Sequence, residues 1–190
     1  DDNYVAPAKV DLKALVNQDD EDESLRKYKE ALLGAAAKGD VAAPSDDPRR
    51  VVVVKMKVLF ENRPDGPIEY DLSSPEKLAA LKSQPFTIMQ GAKYKIELTF
   101  RVQHDIVSGL KYANSVHLKG MRVDKSSTMV GSFGPQAEPH VVVFPRYGWE
   151  EAPSGMMARN TYTAKSEFID DDGEKHLEYE YKFSIKKGWS

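Results

Sequence analysis

Cysteine is absent from the 190 residues, which removes disulfides, thiolate nucleophiles and Cys-ligated zinc. Long apolar runs are missing too: the densest, Val51 to Val54 and Val141 to Phe144, fall far short of the roughly 18 residues a membrane-crossing helix needs. No membrane insertion is expected. No Asn-x-Ser/Thr sequon occurs, so the simplest compartment is cytoplasmic. Neither charge sign dominates, with 27 Lys and Arg interspersed among 30 Asp and Glu, and a nucleic-acid partner therefore has no electrostatic footprint.

Catalytic patterns are equally scarce. His104, His117, His140 and His176 lie far apart, outside any His-x-His or His-Glu-x-x-His frame, which argues against a metalloenzyme. Gly-x-Gly-x-x-Gly, Walker-type and Gly-x-Ser-x-Gly sequences do not occur, leaving nucleotide binding and serine hydrolysis without local support. Neither an enzyme nor a cofactor is expected. Two acidic clusters invite a calcium reading, but neither has the ligand spacing of an EF-hand: Phe168 stands where the Asp170–Gly173 turn would need its upstream acid, and Ser24 where the segment from Asp19 to Glu30 would need glycine. Both read more simply as a solvated turn or an acid-rich helix start, and no metal is expected.

What the chain does contain divides near residue 50. Residues 1 to 50 carry 12 acids and 8 bases, and of the chain's aromatics they hold only Tyr4 and Tyr28. Such a segment lacks the apolar area to offset its ordering entropy, so residues 1–49 read as a flexible arm. Within it Asp11 can cap a turn bearing Leu12, Leu15 and Val16. Ser24 can cap a second helix with Leu25, Tyr28 and Leu32 on one stripe and Gly34 as its stop. Helices this short are marginal without a surface to pack on. The stretch from Ala42 to Pro48 reads as an extended linker.

From residue 50 to 190 the period is two, clearest in Tyr94, Ile96, Leu98, Phe100, Val102 and in Leu177, Tyr179, Tyr181, Phe183, Ile185, which predicts half-buried antiparallel strands. Further strands are expected at Val51 to Phe60, Ile68 to Leu72, Phe86 to Gln90, Leu110 to Val123, Met129 to Phe133, Val141 to Phe144 and Tyr162 to Ile169. Asp170 to Gly173 supplies a turn. Ser74-Pro75-Glu76 opens one or two helical turns at most. The expected fold is all-β: an immunoglobulin-like β-sandwich preceded by the arm.

Several uncommon runs carry a family resemblance across the chain. Glu21 to Gly34, Phe100-Arg101-Val102 with Ile106 to Tyr112, Met129 to Pro135, Glu150 to Met156 and Ile185 to Trp189 resemble, in order, the Rho GDP-dissociation inhibitors. That likeness implies an arm laid on the switch regions of a GDP-bound Rho or Rac type GTPase, and a sandwich that takes the GTPase's geranylgeranyl chain between its sheets. GDP release would slow and the GTPase would leave the membrane, as a monomeric inhibitor bound one-to-one. By motif position the resemblance assigns switch contacts to Leu12, Leu15, Asp22, Ser24, Tyr28, Leu32 and Asp172. It assigns the prenyl pocket to Val58, Phe86, Tyr94, Ile106, Ala164, Tyr179 and Tyr181, and an edge receiving the GTPase's basic tail to Asp124, Glu150 and Glu151. Two departures stand out: Tyr179 and Tyr181 occupy positions where family tryptophans are expected, and the stretch from Pro139 to Trp149 is longer than usual. The rival readings are a general prenyl or lipid carrier without a switch-binding arm, and an Ig-like interaction module with a filled core.

Overall fold

Alternating apolar residues become ten strands in the computed structural model, which describes residues 46–190. The two expected arm helices, and with them Leu12, Leu15, Asp22, Ser24, Tyr28 and Leu32, lie outside the described residues. The strands are β1 (Val51–Phe60), β2 (Ile68–Asp71), β3 (Phe86–Met89), β4 (Lys93–Val102), β5 (Val107–Leu118), β6 (Met121–Phe133), β7 (His140–Phe144), β8 (Glu150–Glu151), β9 (Thr161–Ile169) and β10 (Lys175–Lys186). One sheet runs β2-β1-β4-β7 with β8 also on β4, and the other runs β3-β10-β9-β5-β6. The fold is thus an immunoglobulin-like sandwich of two five-stranded sheets.

Three details differ from the sequence reading. The strand expected from Leu110 to Val123 is a hairpin, because Lys119 and Gly120 both take left-handed backbone angles (φ 50° and 81°) and reverse the chain. Strand β3 pairs parallel to β10, with Phe86 opposite Phe183 and Ile88 opposite Ile185. Helix α1 (Pro75–Ser83) runs nine residues, longer than two turns, with Ser74 Oγ accepting from the Lys77 amide and Pro75 opening the first turn. None of its residues is fully buried, and Leu78 and Leu81 pack partly buried against the core.

Packing is tightest at one end of the sandwich. Leu98, Phe100, Val107, Leu110 and Phe168 are wholly buried there, with Phe100 edge-on to Phe133 at 4.9 Å. Fully burying side chains of this size contributes about 1.5–3 kcal/mol each. The same end carries the β9–β10 turn, whose Asp171 carboxylate lies where a Cβ on Gly109 would fall, and the left-handed φ of 60° at residue 109 favours glycine there.

A buried arginine fastens that turn to the start of β1. Arg50 is 6% exposed, and its guanidinium lies 3.2 Å from Asp172 Oδ2, 3.2 Å from Glu174 Oε2 and 3.9 Å from Asp170 Oδ2. It also donates to the Ile106 carbonyl at 3.5 Å, while His176 Nε2 meets Asp170 at 2.8 Å. Asp170, Glu174 and His176 could between them ligate a cation, and the guanidinium already supplies positive charge there. Removing one partner of a buried ion pair strands the others. Arg50→Ala is expected to lower the unfolding free energy by about 3 kcal/mol or more in urea titrations, and a loss under about 1 kcal/mol would mean that water solvates the cluster.

Candidate ligand-binding site

Away from that tight end, the inward-facing side chains stop short of one another. Between the sheets lies a cavity of about 400 Å³ that opens at the end of the sandwich opposite Arg50. Period two builds its walls: Tyr112, Asn114, Val116 and Leu118 project from β5, and Tyr181, Phe183 and Ile185 from β10. Met56, Val58, Tyr94 and Ile96 close it from the other sheet, with Phe86 and Ile88 along the side. Ala152, Pro153 and Met157, from the segment between β8 and β9, reach its mouth. The lining is mostly hydrocarbon and aromatic, so the space suits an apolar ligand.

A layer of tyrosines forms the deep side. Tyr112 Oη and Ser166 Oγ are 2.9 Å apart, Ser166 Oγ donates to Asn114 Oδ1 at 3.2 Å, and Tyr181 Oη donates to the same oxygen at 3.3 Å. Tyr179 Oη lies 3.6 Å from Met56 Sδ. Each of these rings is therefore held by its hydroxyl as well as by packing. Tyr70 is the exception, since its buried hydroxyl has no partner among the described residues. Burial pushes Tyr70, Tyr112, Tyr179 and Tyr181 upward from the ordinary phenol value. Burial also carries Tyr94 from 10.0 to about 12, helped by the carboxylates of Glu150 and Asp124.

Of the pocket residues expected from motif position, the structure gathers Val58, Phe86, Tyr94 and Tyr181 on the cavity wall. Ala164 and Tyr179 adjoin it without belonging to it: Ala164 is the cross-strand partner of both Tyr181 and Val116, and the Tyr179 ring stands 5.9 Å from that of Tyr181. Ile106 sits at the Arg50 end, far along the sandwich from the mouth. The acidic trio is placed near the opening, with Asp124 in the wall, and Glu150 and Glu151 on β8 opposite Tyr94 and Lys93. Asp172 lies at the other end, bound to Arg50. Residues the motif comparison passed over include Tyr112, Asn114, Val116, Ile96, Phe183 and Ile185. Their signal was present, because each continues an alternation already visible in β4, β5 or β10.

A two-sheet sandwich that keeps an apolar cavity open at one end is the class this geometry defines. The family described as RHO protein GDP dissociation inhibitor matches residues 1–188. A Dictyostelium discoideum relative of that family is 52% identical over 98% of this chain and 91% of its own. Rho GDP-dissociation inhibitor 1 of Bos taurus is 44% identical over 98% of this chain and 87% of its own, and the Schizosaccharomyces pombe Rho GDP-dissociation inhibitor is 39% identical over 95% and 84%. The chain belongs to the Rho GDP-dissociation inhibitor family. Its relatives are named as inhibitors of nucleotide release, regulators rather than enzymes.

The raised tyrosines fix the direction of an alkaline effect. A phenol whose folded value lies above the unfolded one stabilises the fold fully below pH 10 and loses that contribution as pH climbs through the folded value, about 12 for Tyr94. Stability is thus expected to fall from pH 10 upward. Of the nine tyrosines, Tyr70, Tyr112, Tyr179 and Tyr181 should ionise together with unfolding in an ultraviolet titration, and their ionisation while the far-ultraviolet dichroism stays native would contradict the closed tyrosine layer.

Proposed function

We propose that this protein binds prenylated, GDP-bound Rho or Rac type GTPases one-to-one as a monomer in the cytoplasm, slows their GDP release and lifts them from membranes. The observation that carries the reading is the open apolar cavity in a chain of this family. A prenyl chain in water is unfavourable by about 0.8 kcal/mol per CH₂, so a carrier must offer a dry pocket worth on the order of ten kcal/mol. The geranylgeranyl group enters at the mouth and lies along Val58, Tyr94, Ile96 and Val116 toward the tyrosine layer. Asp124, Glu150 and Glu151 beside the mouth attract the basic residues that precede the prenylated cysteine, where opposite charge speeds encounter more than it deepens affinity.

Inhibition of GDP release is the work of residues 1–49, acting as an arm on the switch regions, with residues 50–190 as the prenyl-binding domain. A carboxylate such as Asp22 and the hydroxyl of Ser24 restrain a switch loop that must move for GDP to leave, and Leu12, Leu15, Tyr28 and Leu32 anchor the arm. Asp172 contributes from the Arg50 end. Because arm and pocket grip one GTPase, the second contact is intramolecular and the pair binds more tightly than either alone.

The division of labour predicts opposite defects. Deleting residues 1–40 should abolish the slowing of fluorescent GDP release and leave prenyl-peptide binding. Ile88→Trp, which displaces about four methylenes at about 0.8 kcal/mol each, should weaken prenyl-peptide binding on the order of a hundredfold. Loss of both activities in the truncated protein would refute the assignment, and a full-length protein that extracts prenylated GTPase from liposomes without slowing GDP release would be a plain prenyl carrier.

A further inference from the structure

Exposed large apolar side chains are common singly on protein surfaces, but here they cluster. Of the eight such residues described, Met121, Val123, Tyr147, Trp149, Met156 and Met157 belong to the cavity end, leaving only Met129 and Val141 elsewhere. Three separate segments bring them there. Met121 stands opposite Leu118 at the tip of the β5–β6 hairpin, whose Leu118 and Val123 line the cavity. Tyr147 and Trp149 lie in the loop that leaves β4 at Ile96 and rejoins it at Tyr94, both cavity residues. Met156 precedes Met157, which is part of the cavity wall. Tyr147 and Met157 are 91% and 90% exposed, and Met156 and Met121 78% and 73%.

Basic residues fringe this apolar ring. Lys119, Arg122 and Lys125 lie on the hairpin, Arg146 in the loop, Arg159 beyond Met157, and Lys95 stacks on the Trp149 ring at 5.2 Å. No ion pair among the described residues involves any of the six, whereas Lys93 nearby is paired with Glu61 at 3.8 Å. The acids at the same end are Asp124, Glu150 and Glu151, with Glu61 and Asp65 of the β1–β2 loop, each of these two held by a base of its own, Lys93 and Arg63. Arg122 and Lys125 stand on the outer face of the hairpin, opposite His117 and Ser115, while Met121 shares the cavity side with Leu118. Aromatic rings and methionines at one end of a sandwich, flanked by Lys and Arg without an acidic partner, are the composition that settles at a bilayer's headgroup boundary, the rings and methionines against acyl chains and the cations against anionic lipid.

We infer that the cavity end of the sandwich is a membrane-docking face: Met121, Tyr147, Trp149 and Met156 enter the headgroup boundary of an anionic bilayer while Lys119, Arg122 and Lys125 meet lipid phosphates. Docking sets the cavity mouth against the leaflet, so a hydrocarbon chain can pass from lipid to pocket without crossing water. The membrane contact stands by itself, and only its use in removing a prenyl chain rests on the proposed function.

The test is sedimentation of the full chain, without any GTPase, on phosphatidylcholine vesicles with and without phosphatidylserine, and a parallel measurement of prenyl-peptide binding in solution. Binding to the serine-containing vesicles that weakens with salt is expected, together with a blue shift of tryptophan emission that Trp149→Phe removes. Met121→Gln/Tyr147→Ser/Met156→Gln and Lys119→Glu/Arg122→Glu/Lys125→Glu should each lower partitioning on the order of tenfold or more and leave prenyl-peptide binding intact. Wild-type protein that binds the peptide but neither vesicle overturns the docking face and spares the carrier reading. Vesicle binding that neither triple variant reduces overturns it as well. Vesicle binding without peptide binding keeps the docking face and removes the carrier reading.

Discussion

Two sheets packed face to face must fill the space between them, and in this protein the filling is uneven. At the Arg50 end Leu98, Phe100, Leu110 and Phe168 exclude solvent completely. Toward the other end the inward layer passes to tyrosines whose hydroxyls are tied to Ser166 and Asn114 or set against Met56. A ring pinned at its far tip cannot swing inward to close a gap, because doing so would abandon a buried hydrogen bond. The hydrogen-bonded tyrosine layer therefore holds the cavity open against collapse into an ordinary core.

The same strands that form the tight end also carry the open one. β4 runs from Tyr94 at the cavity to Phe100 in the solid core, and β5 from Leu110 to Leu118 in the opposite sense. Rigidity is thus supplied at one end, and the cavity at the other has walls set by a packed scaffold. Arg50, with its three carboxylates, locks the β9–β10 turn beside Ile106 and leaves Asp172 at the surface end nearest the start of the described chain. The acids and bases at the mouth lie a sandwich length away.

Much of this was legible from alternation alone. The long strands β4 and β10 fall where apolar residues recur every second position, and the sandwich follows from the number and spacing of the strands. The β5–β6 hairpin was hidden because its turn, Lys119-Gly120, sits inside a continuous run of strand-forming residues, and the outer strand from Met121 to Ser127 is exposed at every position and so carries no alternation. The parallel pairing of β3 and the cavity itself were out of reach of alternation for a different reason, and the pocket was expected only through the family resemblance. Alternation says which residues point inward, but whether inward residues touch depends on the separation of the sheets, a tertiary property. Hence Val58, Phe86, Tyr94 and Tyr181 line open space, while Ala164, equally inward, is sealed between Val116 and Tyr181.

The central claim is that the space between the sheets is a binding site for a hydrocarbon chain entering from one end. Methyl-selective nuclear magnetic resonance of the full chain titrated with geranylgeranyl cysteine tests it most directly. Intermolecular contacts to Val58, Ile88, Ile96 and Val116, with Val51, Val107 and Leu110 undisturbed, are what the uneven packing predicts. Contacts at the Arg50 end, or shifts spread evenly over both ends, would contradict it.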